Sequence, residues 1–335
     1  MYKRQYYDNL KQNFPKKYLS ILWALKDCAI FSFIEDNFER HPFFHSLIRD
    51  NSVERILRKE KYLIDNRKIS SCYRFSYEFS PKYAENPIHI EFSFDINSAF
   101  QQRVFAIIGQ NGVGKTQLIT TLPLDLAKGR EDLFAPQVPL YSKIIAVSTS
   151  LYDSFDVPKN SVGFNYVYCG LACGKKDSKT ILAPKELKLK LLETTKTING
   201  RERAESLKNI LSPLYSADII SALFTTQEEK LKVNQARLIE IVDYMSSGES
   251  SLLFIFCNIV ANIRYDSLIL FDEPETHLHP NAITSLMSSI YQLLDEYQSY
   301  AIIVTHSPLV IREMRSTGVR TVSYTHLRAH ETTLH

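Results

Sequence analysis

The chain has 335 residues, 44% of them hydrophobic, enough for a sizeable buried core in one large domain or two ordinary ones. Its 40 basic and 37 acidic residues leave a net charge of +3, which excludes a strong overall field for nucleic acid or an anionic membrane and leaves any such partner to a local patch. The most apolar stretches, 19–33 and 252–263, are interrupted by polar residues or too short to span a bilayer, and no signal peptide is visible; the expectation is a cytoplasmic protein with no membrane partner. Five cysteines without framework spacing, and a "CGLAC" stretch (Cys169, Cys173) with no second ligand pair nearby, point to reduced structural thiols rather than disulfides or zinc.

Both ends read as foreign. "YKRQ" after Met1 resembles the reverse complement of a transposon-end adapter used to prepare sequencing libraries, and "VSYTHLRAHET" (322–332) resembles a translated frame of the same adapter, so residues 1–5 and 321–335 are expected to be artefacts. Residues 18–64 have a helical pattern, with Tyr18, Ile21, Leu22 and Leu25 on one face and Val53, Ile56 and Leu57 on another. "CYRFSYEFS" (72–80) and "IHIEFSFDI" (88–96) alternate polar with apolar residues, as in a half-solvated antiparallel sheet. Four apolar runs, Val104–Ile108, Lys143–Val147, Ser267–Phe271 and Tyr300–Thr305, read as buried parallel strands. Ile283, Leu286, Ile290 and Leu293 place a helix over 281–296, and strand, helix, strand in that order makes the fold class α/β. Residues 180–240 read as a Lys-rich helical insertion. Its basic residues Lys185, Lys188, Lys190, Lys196, Arg201 and Arg203 alternate with acids, as on a solvated face rather than a nucleic-acid track.

The chemistry starts at "GQNGVGKT" (109–116), a Walker A loop between a strand and a helical pattern. Glycines let the backbone wrap round phosphates with its N–H groups inward, and the helix N-terminus adds a favourable dipole. Gly109, Asn111, Gly112, Val113, Gly114, Lys115, Thr116 and Gln117 are the expected ATP-binding residues. Lys115 reaches the β and γ phosphates, and Thr116 ligates Mg²⁺. "SLILFDEPE" (267–275) is a Walker B strand ending in two acids, which strand alternation would send to different sides: Asp272 to the Mg²⁺ shell and Glu273 to polarise the attacking water. "IIVTHSP" (302–308) ends on His306, the expected contact to the γ-phosphate, while His277 and His279 in "THLHP" lack a third ligand and read as a turn.

Walker A, an insertion, "MSSGE" (245–249), Walker B and a strand-end histidine occur in the order found in ATP-binding-cassette (ABC) ATPases, and over residues 88–310 the chain resembles that family. "SSGE", "DEPETHLHP" and "THSP" look most like its RecF, SMC and OLD-type branch, and are similar to ATPases of Septu-type and restriction-associated antiphage systems. The resemblance implies an ATPase that dimerises on ATP, with Ser246, Ser247, Gly248 and Glu249 of each copy serving the γ-phosphate held by the other. It further implies a DNA-related or defence setting and a nuclease or nucleic-acid partner. The expected domains are a helical and strand region over 6–87 and an ABC-type ATPase domain over 88–320. The sequence departs from the family where a Q-loop glutamine should follow "KIIAVSTS", since "SLYDSFD" (150–156) stands there. Competing readings are a transporter's nucleotide-binding subunit, which predicts a clear Q-loop, an ATP-gated scaffold with little turnover, and a ring-forming AAA+ motor, in which "SSGES" has no role.

Overall fold

A computed structural model describes residues 2–27, 74–81, 87–94, 102–109, 114–139, 141–148, 155, 166–173, 180–181, 183–276, 278–314 and 318–321. Helices α1 (Tyr2–Asn13) and α2 (Tyr18–Ala24) come first, followed by strands β1 (Arg74–Phe79), β2 (Ile88–Ser93) and β3 (Val104–Ile108). Next are helix α3 (Lys115–Lys128), strands β4 (Phe134–Ala135), β5 (Ile144–Ser148) and β6 (Tyr166–Gly170), and the short pair β7 (Ala172–Cys173) and β8 (Thr180–Ile181). The insertion contains α4 (Pro184–Gly200), α5 (Ala204–Leu211), α6 (Ala217–Leu223), the strands β9 (Phe224–Gln227) and β10 (Lys230–Val233), and α7 (Gln235–Tyr244). The chain then runs through α8 (Ser247–Asn262), β11 (Leu268–Asp272), α9 (Pro280–Glu296), β12 (Tyr300–Val304), α10 (Pro308–Arg312) and β13 (Val319–Thr321).

Six parallel strands in the order β13-β3-β12-β11-β5-β6 form the central sheet. Four of them are the four expected apolar runs, and these are apolar throughout because both faces of the sheet are covered. Alternation along each strand sorts its residues into two cores. Phe105, Ile107, Ile144, Ala146, Leu268, Leu270, Tyr300 and Ile302 join one side, with α3 and the antiparallel sheet. Val104, Ile145, Val147, Ile269, Phe271, Ala301 and Ile303 join the other, with α4, α5, α8 and α9. The alternating segments pair as expected, β1 antiparallel to β2, and the two-residue β4 adds a third strand on the other side of β1. Their inward aromatics cover the sheet: Phe94 stands edge-on to Phe105 at 4.9 Å, and the buried Tyr77 hydroxyl donates to Asp125 of α3 at 2.7 Å.

On the other face α8 is buried from Leu252 to Ala261, the fate of a helix that is apolar all round. α9 buries Ile283, Leu286, Ile290 and Leu293 as its spacing requires. The insertion is not purely helical, since β9 and β10 pair as an antiparallel hairpin. Two of its basic residues also depart from the solvated-face reading. The Arg201 guanidinium donates to the Ala261 carbonyl at 2.9 Å, and that of Arg203 to the Val260 and Ile263 carbonyls at 2.8 Å each, satisfying the otherwise open C-terminal end of α8. Lys188 forms an ion pair with Asp243 of α7.

Of the N-terminal face, Leu22 is fully buried but Leu25 is 63% exposed, because α2 stops at Ala24 and Leu25 falls on its C-cap. Val53, Ile56 and Leu57 lie outside the described residues. Cys169 and Cys257 are free and buried, and burial pushes both thiols up to about 12. Among the described residues no helix is long and apolar enough to cross a membrane.

Candidate nucleotide site

The register aligns the C-terminal ends of four strands: Val304 pairs with both Ile107 and Asp272, and Asp272 pairs with Ser148. In open α/β sheets this edge is where ligands bind. β12 lies between β3 and β11, so the residues after Val304 stand between the Gly109 loop and the double acid.

Gly114 caps α3 at φ 83°, a left-handed backbone that glycine adopts without the steric cost of a side chain. Lys115, the first residue of that helix, is only 5% exposed, and its ammonium donates to the Gly109 carbonyl at 2.8 Å, folding back over the loop. Burial pulls Lys115 below the usual lysine range, and the nearby carboxylates of Glu273 and Asp272 partly restore it. A buried cation at a strand end, with carboxylates near, suits an anionic phosphate accompanied by a divalent metal. Thr116 is exposed, and Gln117 is half-buried on the first turn of α3. Asn111, Gly112 and Val113 lie outside the described residues, as does His277.

Asp272 is 7% exposed at the last position of β11. Glu273 is not part of the strand: its backbone turns into the left-handed region at φ 46° while its N–H donates to Val304 O at 2.9 Å. Glu273 thus leaves the strand through a left-handed turn, a feature that strand alternation does not describe. Non-glycine residues held in this region are strained and collect at functional sites. The turned carboxylate meets His306, whose Nε2 lies 3.1 Å from Glu273 Oε1, with both side chains about two-fifths exposed.

A latch that sequence reasoning had not found lies behind this pair. The fully buried Thr305 hydroxyl donates to Glu275 Oε1 and accepts from the Ser307 N–H at 2.9 Å, while Thr305 N–H donates to Ile107 O at 3.2 Å. The third acid of "DEPE" is visible in the sequence, but nothing in its spacing aims it at a threonine 30 residues away.

The "SSGE" loop is an exposed helix cap. Ser246 is the N-cap of α8: its hydroxyl donates to Glu249 Oε2 at 2.7 Å, its N–H donates to the same oxygen at 2.9 Å, and Glu249 N–H donates back to Ser246 Oγ at 3.3 Å. Ser247 is exposed and Gly248 half-buried, and Tyr215 anchors the turn by donating to Glu249 O at 2.7 Å. The adjoining Tyr244 is 92% exposed. Among the described residues no hydrogen bond joins this loop to the strand-end residues of its own chain. His279 caps α9 by accepting from Asn281 N–H at 3.4 Å, as expected of a turn, and no cluster of metal-ligating side chains occurs among the described residues.

A parallel sheet carrying Lys115, the acids Asp272 and Glu273 and His306 at its strand ends, with a capped helix in the core, is an α/β arrangement with a candidate anion site at the usual ligand-binding edge. Residues 180–312 match the profile of a family described as "AAA domain, putative AbiEii toxin, Type IV TA system". Protein ea59 of Escherichia phage lambda is 25% identical over 346 residues, covering 92% of this chain and 65% of that protein, so the chain spans about two thirds of this relative's length. Two similar solved structures are an ATP-binding cassette of an ABC transporter in its ADP conformation and an Smc head bound to the C-winged helix domain of ScpA. The first is 14% identical over 74% of this chain and 86% of that one, with a TM-score of 0.37; the second is 15% identical over 76% and 98%, with a TM-score of 0.35.

Proposed function

We propose that the chain binds ATP with Mg²⁺ at the Lys115 loop and hydrolyses it with Glu273 as general base, in a dimer where the Ser246–Glu249 loop of each copy serves the γ-phosphate held by the other. The observation that carries this is the Glu273–His306 contact of 3.1 Å beside a buried, partly desolvated Lys115 at one sheet edge. Mg²⁺ supplies charge neutralisation of the phosphates, and Asp272 and Thr116 are the residues to hold it. Lys115 binds the β and γ phosphates, Glu273 takes the proton of the attacking water, and His306 donates to Glu273 and orients it. The trans role of "SSGE" is supported by its exposure and by the lack, among the described residues, of a hydrogen bond to its own chain's site.

The test is Glu273→Gln, which keeps the side chain's size and removes the base. Turnover should fall by roughly 10²–10⁴. Bound ATP should persist and hold two chains together, so light scattering should find a dimer only with ATP. Mixing Ser246→Arg chains with Lys115→Ala chains leaves one intact composite site per heterodimer and should restore part of the turnover that each lacks alone. Turnover per chain that stays flat on dilution, with a monomeric Glu273→Gln protein in ATP, would remove the dimer from the proposal. Slow turnover with intact ATP-dependent dimerisation would favour the scaffold reading. The matched family's toxin description supports a defence or counter-defence setting, and a DNA or nuclease partner is part of this proposal, read out as stimulation of turnover by added DNA.

A further inference from the structure

We infer that Glu275 is a positioning residue which, through Thr305, fixes His306 against Glu273 and holds the left-handed turn at Glu273; the inference rests on the reading of Glu273 and His306 given above. The turn after β11 and the exit of β12 each carry one half of the Glu273–His306 contact, and further bonds join the two segments. Glu273 N–H to Val304 O is one. Another spans them through side chains, from Thr305 Oγ1 to Glu275 Oε1. The same threonine oxygen accepts from Ser307 N–H, so a single hydroxyl, fully buried, sets the backbone on both sides of His306 while tied to the acid turn. Glu275 is itself fixed, its carbonyl accepting from Leu278 N–H at 3.0 Å, and Thr276 N–H donates to Glu273 O at 3.1 Å, which closes the turn carrying both acids. Glu273 at φ 46° needs surroundings that over-determine its backbone, and this latch is placed to provide them. Oε2 of Glu275 is buried with no hydrogen-bond partner among the described residues, so the carboxylate's interaction is concentrated on Thr305. Glu275 touches neither reacting atom in this scheme; it acts through the alignment of two groups that do.

The experiment compares wild type with Glu275→Ala, Glu275→Gln, Thr305→Val, Thr305→Ser and the double variant Glu275→Ala/Thr305→Val. Losing a hydrogen bond to a charged group in this latch should lower kcat by about ten- to a hundredfold. ATP affinity should change by less than about threefold, since Lys115 is untouched. Thr305→Ser and Glu275→Gln keep a hydroxyl donor and an oxygen acceptor, and should recover most of the rate. The double variant should be no slower than the slower single one, because both remove the same bond. Amide hydrogen exchange of the unliganded proteins gives a readout independent of turnover: Ser307 N–H should lose protection in Glu275→Ala and regain it in Glu275→Gln. An unchanged kcat in Glu275→Ala, single losses that multiply in the double variant, or unaltered Ser307 protection would each overturn the inference. A wild type no faster than Glu273→Gln would instead overturn the reading of the site, and the exchange data would still decide whether the latch holds the two segments together.

Discussion

Lys115 is a cation held almost out of water, and the balance of forces on it yields a pH prediction. Burial lowers its folded-state pKa below the unfolded value, and Glu273 and Asp272 oppose that shift. As pH rises, the folded protein therefore sheds this proton before the unfolded chain does. The burial cost, fully present at neutral pH, is relieved between the lowered value and the ordinary lysine value, so this group's contribution to stability improves in the alkaline range. ATP affinity should do the opposite and decline as the ammonium is lost. Glu273→Gln removes one carboxylate that sustains the charge, so the alkaline decline should begin at lower pH in that variant; calorimetric titrations at several pH values check this, and coincident declines would contradict it. Lys115, Asp272, Glu273 and His306 were legible in the sequence because each sits in a run whose neighbours dictate a strand end or a helix start. The Thr305–Glu275 latch was not, because it depends on the register of two strands, and neither was the left-handed turn at Glu273, which the strand pattern does not announce.

For a single element, the N-terminus of α8 separates two roles of one serine. As a cap, Ser246 satisfies backbone donors, and its replacement by Ala should cost about 1 kcal/mol of stability, whereas Gly at an N-cap costs only a few tenths. As a phosphate contact, its hydroxyl is lost equally in both. Ser246→Gly should therefore unfold in denaturant close to wild type yet turn over ATP as poorly as Ser246→Ala. If Ser246→Gly keeps full turnover, the loop is a cap and nothing more. Helix α8, apolar all round, offers no period to read, whereas α9 could be read from its periodicity and the four buried strands from their continuous apolar runs. Strand β6 (Tyr166–Gly170) and the three-residue β13 could not, since a short edge strand needs only a neighbour's free hydrogen bonds and leaves little pattern. The hairpin β9–β10 was hidden within a segment whose lysines and leucines favour helix.

Across the whole molecule, the two cores share the same strands, one residue of each strand facing each way, so neither side can lose its packing without exposing the other's sheet. Leu118→Ala on one face and Leu207→Ala on the other should each cost about 2–5 kcal/mol. Both should shift one common transition seen alike by circular dichroism and by loss of ATP binding; two resolved transitions would show that the insertion folds apart from the sheet. The two-layer covering of the sheet followed from alternating segments before β3 and apolar helices after it, while strand order did not, because periodicity carries no information about which strands become neighbours. That order has a consequence for biosynthesis. β3, which leads into the lysine loop, is flanked in the sheet by β12 and β13, the last two strands of the described chain, and not by any strand made near it in time. At roughly 5–20 residues per second a ribosome needs on the order of ten to forty seconds between emitting β3 and emitting β12. Throughout that interval the glycine loop and Lys115 exist without the strand that carries Thr305 and His306 beside them. Nascent chains arrested before Tyr300 should therefore fail to retain ATP, and chains extended past Thr321 should retain it, so the growing polypeptide should stay indifferent to the cell's nucleotide pool until β12 and β13 have been made.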